Sequence, residues 1–233
     1  MIDIIPAILP SSLEDLREKL SLMDGLAPLV QIDVADGKFV SSKTWPYTEG
    51  GPQEFTRITE EEEGLPFWHS IDFEMDLMVA EPEAIIENWI RAGVRRVIVH
   101  IESAKHFPEL IDTLEARFRG PEHLEGSVEL GVAFGIDTPN QLLEPFLGRV
   151  DFVQCMGIAE IGYQGQPFDE RVIEKVRDLR ERFPHMPLSV DGGVSMEVAP
   201  ALIAAGATRL VVGSALFESA DIEKTLKAFQ ALG

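Results

Sequence analysis

The chain has 233 residues, of which 45% are hydrophobic, and this is enough for a sizeable core. Its formal charge of −20 argues against nucleic acid and anionic lipid as partners, because both are bound through Lys and Arg. The single cysteine, Cys155, excludes an internal disulfide, and its apolar neighbours predict a buried, unreactive thiol.

No stretch of the sequence approaches the roughly 18 consecutive apolar residues that a membrane span requires. The first residues also lack the basic start of a signal peptide. We therefore expect a cytoplasmic protein with no membrane partner, and we expect it to form a homo-oligomer.

Short apolar stretches rich in β-branched residues recur along the chain at intervals of roughly 25–35 residues. They predict eight strands, at residues 2–9, 29–34, 70–79, 96–101, 128–134, 150–156, 187–190 and 208–212. Side chains alternate along a strand, so Gln31 and Asp33 share one face of the second strand. The third strand alternates in the same way, and its acidic face carries Asp72, Glu74 and Asp76.

Helical patterns fill most of the gaps between these strands. Pro82, flanked by two acidic residues, is expected in the first turn of the third helix. Thr138 is expected to cap another helix, and Ser195 is expected to open one that Gly206 ends. The full set is predicted near residues 13–23, 53–62, 81–92, 106–118, 138–146, 168–183, 195–206 and 221–231.

Residues 41–69 interrupt this rhythm after the second strand. The segment contains a turn at Gly50-Gly51-Pro52, the short helix predicted near 53–62, and a run of like charge at 60–63. We interpret the chain as a single domain, residues 1–233, with an acidic loop insertion at about 41–69 after strand two.

Eight strand–helix units in about 230 residues fit an α/β fold, the (β/α)₈ or TIM barrel. The alternative is an open doubly wound sheet, but the first strand-to-helix turn lacks the G-x-G-x-x-G sequence expected there. In a barrel, the C-terminal ends of the strands carry the chemistry, and the loops after strands seven and eight commonly bind phosphate.

Two of the predicted strands end in an aspartate and a glycine-containing turn. Asp33 ends strand two, and Asp191 ends strand seven. A buried carboxylate is costly unless it is paired or ligated, so both are candidate catalytic residues. The alternative for Asp33 is a structural role, with its carboxylate held by backbone N–H groups.

Glycines follow the last two strands, as Gly192-Gly193 after strand seven and as Gly213-Ser214 after strand eight. Backbone N–H groups of both turns can converge on one anion, which predicts a phosphorylated substrate. The alternative is that these glycines serve only tight turns and helix ends.

In order and spacing, these features resemble the ribulose-phosphate 3-epimerase family along nearly the whole chain. The family's P-S-I-L, V-D-V-M-D-G-x-F-V, H-L-M-V, V-H-x-E, V-D-G-G and G-S-A-x-F correspond to residues 6–9, 32–40, 76–79, 99–102, 190–193 and 213–217. Met156 and the loop 162–168 resemble M-S-V-N-P-G-F-G-G-Q-x-F with one extra residue. The family's opening serine is Ala7 in this chain.

The resemblance implies an isomerase that inverts the carbon next to the ketone of a ketose phosphate through an enediolate. It implies that Asp33 and Asp191 are the acid and base on opposite faces of the sugar. It also implies substrate and phosphate contacts from Met78, Met156, Gly162, Gly165, Gln166, Gly192, Gly193, Gly213 and Ser214.

The resemblance further implies a divalent metal, which the family usually holds with two histidines and two aspartates. The two histidine positions are occupied by Gln31 and Asp76, so the expected ligands are Gln31, Asp33, Asp76 and Asp191. Because all four offer oxygen, we expect Mg²⁺ or Mn²⁺ rather than Zn²⁺. The alternative is that no metal binds and that the three carboxylates share protons.

Two other functions are compatible with the sequence. A related phosphosugar lyase or decarboxylase would carry a lysine two residues after the strand-two aspartate, where this chain has Ala35. A metal-free sugar-phosphate-binding protein would explain the altered metal positions, whereas retention of both aspartates favours catalysis. Lys38 is interpreted either as a substrate contact or as a solvated lysine, and His100 either as a site residue or as a structural histidine.

Overall fold

The computed structural model describes residues 2–119 and 127–233. Eight parallel strands pair in chain order and close into a barrel, in which β8 pairs with β1. The strands are β1 (Asp3–Ile8), β2 (Leu29–Ala35), β3 (Asp72–Met78), β4 (Arg96–His100), β5 (Glu129–Phe134), β6 (Phe152–Met156), β7 (Leu188–Asp191) and β8 (Arg209–Val212). The closed ring confirms the barrel and excludes the open sheet, which would leave edge strands.

Helices connect most of the strands. In the described ranges the α-helices are α1 (Leu13–Met23), α2 (Gly51–Thr59), α3 (Ile86–Arg91), α4 (Phe107–Phe118), α5 (Arg171–Arg182), α6 (Ala199–Ala205), α7 (Ser214–Phe217) and α8 (Ile222–Gln230). Helix α2 confirms the short helix predicted within 41–69. None of the helices in the described part of the chain is long and apolar enough to cross a membrane.

The helix predicted over 138–146 is wrong, because only a 3-10 helix, Asn140–Leu143, connects β5 to β6 there. Pro145 has no N–H and its ring excludes an α-helical carbonyl four residues earlier, so the α-helix cannot continue. The Asn140 amide instead donates to the Lys175 carbonyl (3.0 Å) and to Asp178 (2.7 Å), and thereby fixes the segment against α5.

Two helices begin later than predicted. A separate 3-10 helix, Pro82–Ala84, precedes α3, because Ile85 leaves helical geometry with φ of −124°. Helix α6 begins at Ala199 rather than at Ser195. Pro200 sets this start, since its fixed φ suits the first turn of a helix.

The two faces of the strands bury different kinds of side chain. Outward residues such as Ile32 and Leu77 belong to the large apolar core between the barrel and its helices. Four inward residues of β2 and β3 are polar and buried: Gln31, Asp33, Glu74 and Asp76. The acidic face predicted for the third strand therefore faces the barrel interior, where Asp76 is in register with Asp33.

One layer below Asp76, a buried ion pair closes the barrel interior. Arg209 of β8 donates to Glu74 of β3, and its guanidinium lies 4.1 Å from the centroid of the Phe152 ring. A Cβ at Gly131 would come within 2.4 Å of that ring, so a glycine is required there to admit Phe152. Burial raises the pKa of Glu74 above its usual value, although the Arg209 charge counteracts it.

Candidate active site

One cavity at the C-terminal ends of the strands collects the residues predicted from the sequence. Asp33, Asp76 and Asp191 line it, and one carboxylate oxygen from each lies within 4.8 Å of the others. The other predicted residues that line the same cavity are Met78, Met156, Gly162, Gly165, Gln166, Gly192, Gly193, Gly213 and Ser214. Gln31 is fully buried beside them and does not line the cavity.

Amide groups hold the three carboxylates together. Gln31 Nε2 donates to Asp33 Oδ1 and to Asp191 Oδ2, each at 2.7 Å. Gln154 Nε2 donates to Asp76 Oδ2 and to Asp191 Oδ2, each at 3.3 Å. Carboxylates from β2, β3 and β7 are therefore linked across the barrel by neutral donors, which reduce but do not cancel the repulsion between them.

Gln154 and Ser189 belong to this network and were not predicted from the sequence. Ser189 Oγ donates to Gln154 Oε1 at 3.2 Å, which fixes the orientation of the amide. The sequence feature that could have identified Gln154 is its position in the middle of the apolar strand β6, on the same face as Met156. His100 also joins the site, because its Nε2 lies 3.0 Å from Asp76 Oδ1 in a fully buried contact.

Burial is the main influence on the acidity of this cluster. It raises the pKa of Asp33 well above its usual value, and the charges of Asp191 and Asp76 raise it further. Burial and the Asp76 charge also raise the pKa of Asp191, from 3.8 to about 7, although the Gln31 hydrogen bond counteracts them. Without a bound cation, the cluster therefore retains protons near neutral pH.

This shift predicts how stability depends on pH in the metal-free protein. Between pH about 4 and 7 the folded chain keeps a proton on Asp191 that the unfolded chain releases. The contribution of Asp191 to the free energy of unfolding is therefore complete at low pH and is lost as the pH rises through the folded pKa. Asp191→Asn removes the ionisation. We expect the Tm of the variant minus that of wild type, measured calorimetrically with EDTA, to become more positive across that range.

Comparison of the two proteins cancels the titration of groups that do not interact with Asp191. The pKa of Asp33, which the Asp191 charge raises, falls in the variant and changes the Tm difference in the same direction. A Tm difference that stays constant, or that becomes more negative with rising pH, would contradict the raised pKa of Asp191. Asp24→Asn provides the matched control, since Asp24 is exposed at the end of α1 and its Tm difference should not change across the same range.

The loop after β6 lies over the cavity and contacts the loop after β2 and the C-terminal part of β1. The Tyr163 hydroxyl lies 2.8 Å from Ser41 Oγ, and Gln164 Nε2 donates to the Ala7 carbonyl at 3.3 Å. Gly162 has a φ of +90°, and a Cβ there would come within 2.8 Å of the Val40 side chain. The loop 162–166 is therefore closed onto its neighbours, and glycine at 162 permits this approach.

Asp36 has a structural role in the turn after β2. Its Oδ1 accepts the N–H groups of Lys38 (2.8 Å) and Phe39 (3.1 Å), and its Oδ2 accepts that of Ala80 at 3.0 Å. These bonds tie the β2 turn to the end of β3 and so fix Asp33 relative to Asp76. The Lys38 side chain is exposed and does not line the cavity.

The donor set fits a hard divalent cation. The three carboxylates supply charge and oxygen, and their spacing leaves room for one ion among them. Gln31 Oε1 is buried and has no hydrogen-bond partner among the described residues, while Nε2 of the same amide faces Asp33 and Asp191. Rotation of the amide by half a turn would give a cation among the carboxylates this oxygen as a ligand, in exchange for the two Nε2 hydrogen bonds.

Comparisons with known proteins agree with these features. A sequence model described as "Ribulose-phosphate 3 epimerase family" matches residues 3–217. The ribulose-phosphate 3-epimerase of Eremothecium gossypii is 30% identical over 221 residues, which cover 94% of this chain and 87% of that protein. The ribulose-phosphate 3-epimerase of Bacillus subtilis is 29% identical over 235 residues, which cover 97% of each.

Solved structures share the architecture at lower identity. A 3-hexulose-6-phosphate synthase has a TM-score of 0.63 and 20% identity, with 99% of each chain covered. KGPDC from Streptococcus mutans has a TM-score of 0.63 and 14% identity, with 100% of this chain and 97% of that chain covered. At these identities the likeness concerns the fold alone.

Proposed function

Because the chain belongs to the ribulose-phosphate 3-epimerase family, we propose that it inverts C3 of ribulose 5-phosphate, or of a similar ketose phosphate, by proton transfer between Asp33 and Asp191. The observation that carries this proposal is a pair of buried carboxylates on β2 and β7, joined by Gln31 and facing one cavity. These strands stand on roughly opposite sides of the barrel, so a sugar between them presents one face to each aspartate.

Inversion next to a ketone requires proton removal on one face and delivery on the other. The ionised aspartate takes the proton from C3, and the electron pair of that C–H bond moves into an enediolate. The other aspartate, which starts protonated, gives its proton to the opposite face of C3 as the ketone re-forms. In the metal-free chain a pKa of about 7 lets Asp191 take either role near neutral pH, and a cation bound beside it would lower that pKa.

A divalent cation held by Gln31, Asp33, Asp76 and Asp191 would stabilise the negative charge that develops on the enediolate oxygens. The same four residues argue for the identity of that cation. They offer three carboxylates and an amide oxygen, which suit Mg²⁺ or Mn²⁺, whereas zinc sites usually include His or Cys.

We expect elemental analysis of protein purified without chelator to find Mg²⁺ or Mn²⁺ in close to one equivalent. Asp76→Asn, which removes one carboxylate and keeps its shape, should lower that content. Stoichiometric zinc in the wild-type protein would show that the ligands have been assigned wrongly.

We propose that the substrate phosphate binds to the backbone N–H groups of Gly192, Gly193, Gly213 and Ser214. All four residues line the cavity, and the positive φ of the first two (96° and 68°) lets the turn after β7 expose its amides. A crystal soaked in phosphate should show the anion there, beneath the loop 162–166. An anion at the opposite end of the barrel, with these amides free, would refute the site.

No lysine is found among the cavity-lining residues that the structure describes. The cavity therefore offers no lysine amine for Schiff-base chemistry, which argues against an aldolase among the lyase alternatives.

The proposed epimerase activity is tested by incubating ribulose 5-phosphate with the protein in deuterium oxide. Epimerisation with incorporation of deuterium at C3 is expected; the absence of both for a panel of ketose phosphates would refute the proposed function.

A further inference from the structure

Asp76 occupies an unusual position among the three carboxylates, because both of its oxygens are bonded by side chains outside the proposed ligand set. His100 Nε2 lies 3.0 Å from Oδ1, and Gln154 Nε2 lies 3.3 Å from Oδ2. Asp76, His100 and Gln154 are all fully buried. The carboxylate therefore has no freedom to rotate without breaking two buried hydrogen bonds.

His100 is itself held in one orientation. Its ring packs against Phe39, with centroids 5.5 Å apart, and its Nδ1 has no hydrogen-bond partner among the described residues. The nearest carboxylate, Glu102 Oε2, is 4.0 Å from Nδ1. Glu102 is engaged elsewhere, by the Gly135 N–H at 2.8 Å and by the Thr138 hydroxyl. Among the described residues, Nε2 is therefore the only ring nitrogen of His100 with a hydrogen-bond partner, and that partner is Asp76.

Gln154 is fixed in the same way from the other side. Its Oε1 accepts from Ser189, so the NH₂ group must point toward the carboxylates. One amide nitrogen then bonds Asp76 Oδ2 and Asp191 Oδ2 together. Oδ2 of Asp76 is thereby turned toward Asp191, while Oδ1 is occupied by His100.

We propose that His100 and Gln154 are positioning residues that hold the Asp76 carboxylate toward Asp33 and Asp191 before any cation arrives. The two buried hydrogen bonds fix both oxygens of Asp76, so a divalent cation that binds this carboxylate would require little reorganisation of it. Groups that orient a metal ligand in this way contribute substantially to metal affinity, and their loss typically lowers it about 10–100-fold. The inference rests on the proposed metal site, and it does not depend on which sugar is the substrate.

The test measures Mn²⁺ affinity of the folded protein from free Mn²⁺ in electron paramagnetic resonance titrations, without substrate. His100→Leu removes the donor at similar volume, and we expect its affinity to fall about 10–100-fold. His100→Gln can place an amide N–H near the position of Nε2, and it should recover most of that loss. His106→Leu is the matched control, because His106 is exposed on the next loop, and its affinity should equal that of wild type.

A purely structural His100 would affect thermal stability and leave the Mn²⁺ affinity of the folded protein unchanged. His100→Leu with wild-type affinity would therefore overturn the inference, as would a wild-type protein that binds no Mn²⁺. If His100→Leu fails to fold, Gln154→Met gives the same test from the other oxygen of Asp76, with the same expected loss. A wild-type protein that epimerises no ketose phosphate, but shows the His100-dependent affinity, would refute only the proposed function.

Discussion

We expect Asp33→Asn and Asp191→Asn each to lower kcat for epimerisation by at least about 10²–10⁴-fold, the range of general acid–base catalysis. Asparagine keeps the shape of the side chain and can still accept the Gln31 hydrogen bond, but it cannot take the proton from C3. The measurement is initial-rate kinetics on ribulose 5-phosphate. In the proposed mechanism the two aspartates act on opposite faces of the sugar, so a single variant should retain slow exchange of the C3 proton from one epimer while net inversion is lost.

Asp24→Asn controls for the effect of removing a carboxylate from this acidic chain, and its kcat should match that of wild type, since Asp24 is exposed at the end of α1 and does not line the cavity. Folding of the two site variants is checked by calorimetry, where Asp191→Asn is expected to unfold no earlier than wild type at pH 7. Near wild-type turnover in both site variants would assign the two carboxylates to a structural role.

Arg209→Met lowers the free energy of unfolding by about 3–5 kcal/mol, because it leaves the Glu74 charge buried without its main partner. Arg209 is 5% exposed and Glu74 is 0% exposed, and the next cation, Arg96, is 4.0 Å from Glu74. A loss of this size is a large part of the stability of an ordinary domain. Denaturant unfolding measures it.

Two further variants distinguish the effect of leaving the Glu74 charge unpaired from the effect of losing an arginine side chain. Arg95→Met removes the same chemical group from a surface pair with Asp72, where both side chains are at least 60% exposed, and should cost less than about 1 kcal/mol. Adding Glu74→Leu to Arg209→Met removes the stranded charge and should restore most of the stability. An Arg209→Met cost no greater than that of Arg95→Met would mean that Glu74 is not ionised in the folded protein.

The fold and the cavity could be predicted because both depend on patterns local to each strand. The eight apolar stretches define the strands, and barrel closure brings their C-terminal ends to one face, so Asp33, Asp191 and the glycines after β7 and β8 meet. The order of pairing follows from the order of the units. No knowledge of side-chain contacts was needed for these residues.

The hydrogen-bond partners could not be predicted, because they depend on the register between strands that are distant in sequence. In the sequence, Gln154 is only a polar residue within an apolar strand. Its hydrogen-bond partners become evident once β6 is placed beside β7 and across the barrel from β3. Glu74 likewise reads as part of an acidic face until Arg209 is placed across the barrel from it. The Asn140 contacts with α5, which hold the 3-10 segment after β5, also join distant segments. Pro145, by contrast, was a local signal against the helix that was predicted there.

The closed loops over the cavity have a consequence for the timing of each catalytic cycle. The contacts of Tyr163 with Ser41 and of Gln164 with the Ala7 carbonyl join the loop after β6 to the loop after β2 and to β1, so movement of the β6 loop away from the cavity would break both. In the proposed reaction, the same contacts over a bound sugar would exclude water from the enediolate and delay the departure of product. Stronger contacts would then protect the intermediate and slow turnover, and loop opening would set an upper limit on kcat that the proton-transfer groups cannot raise.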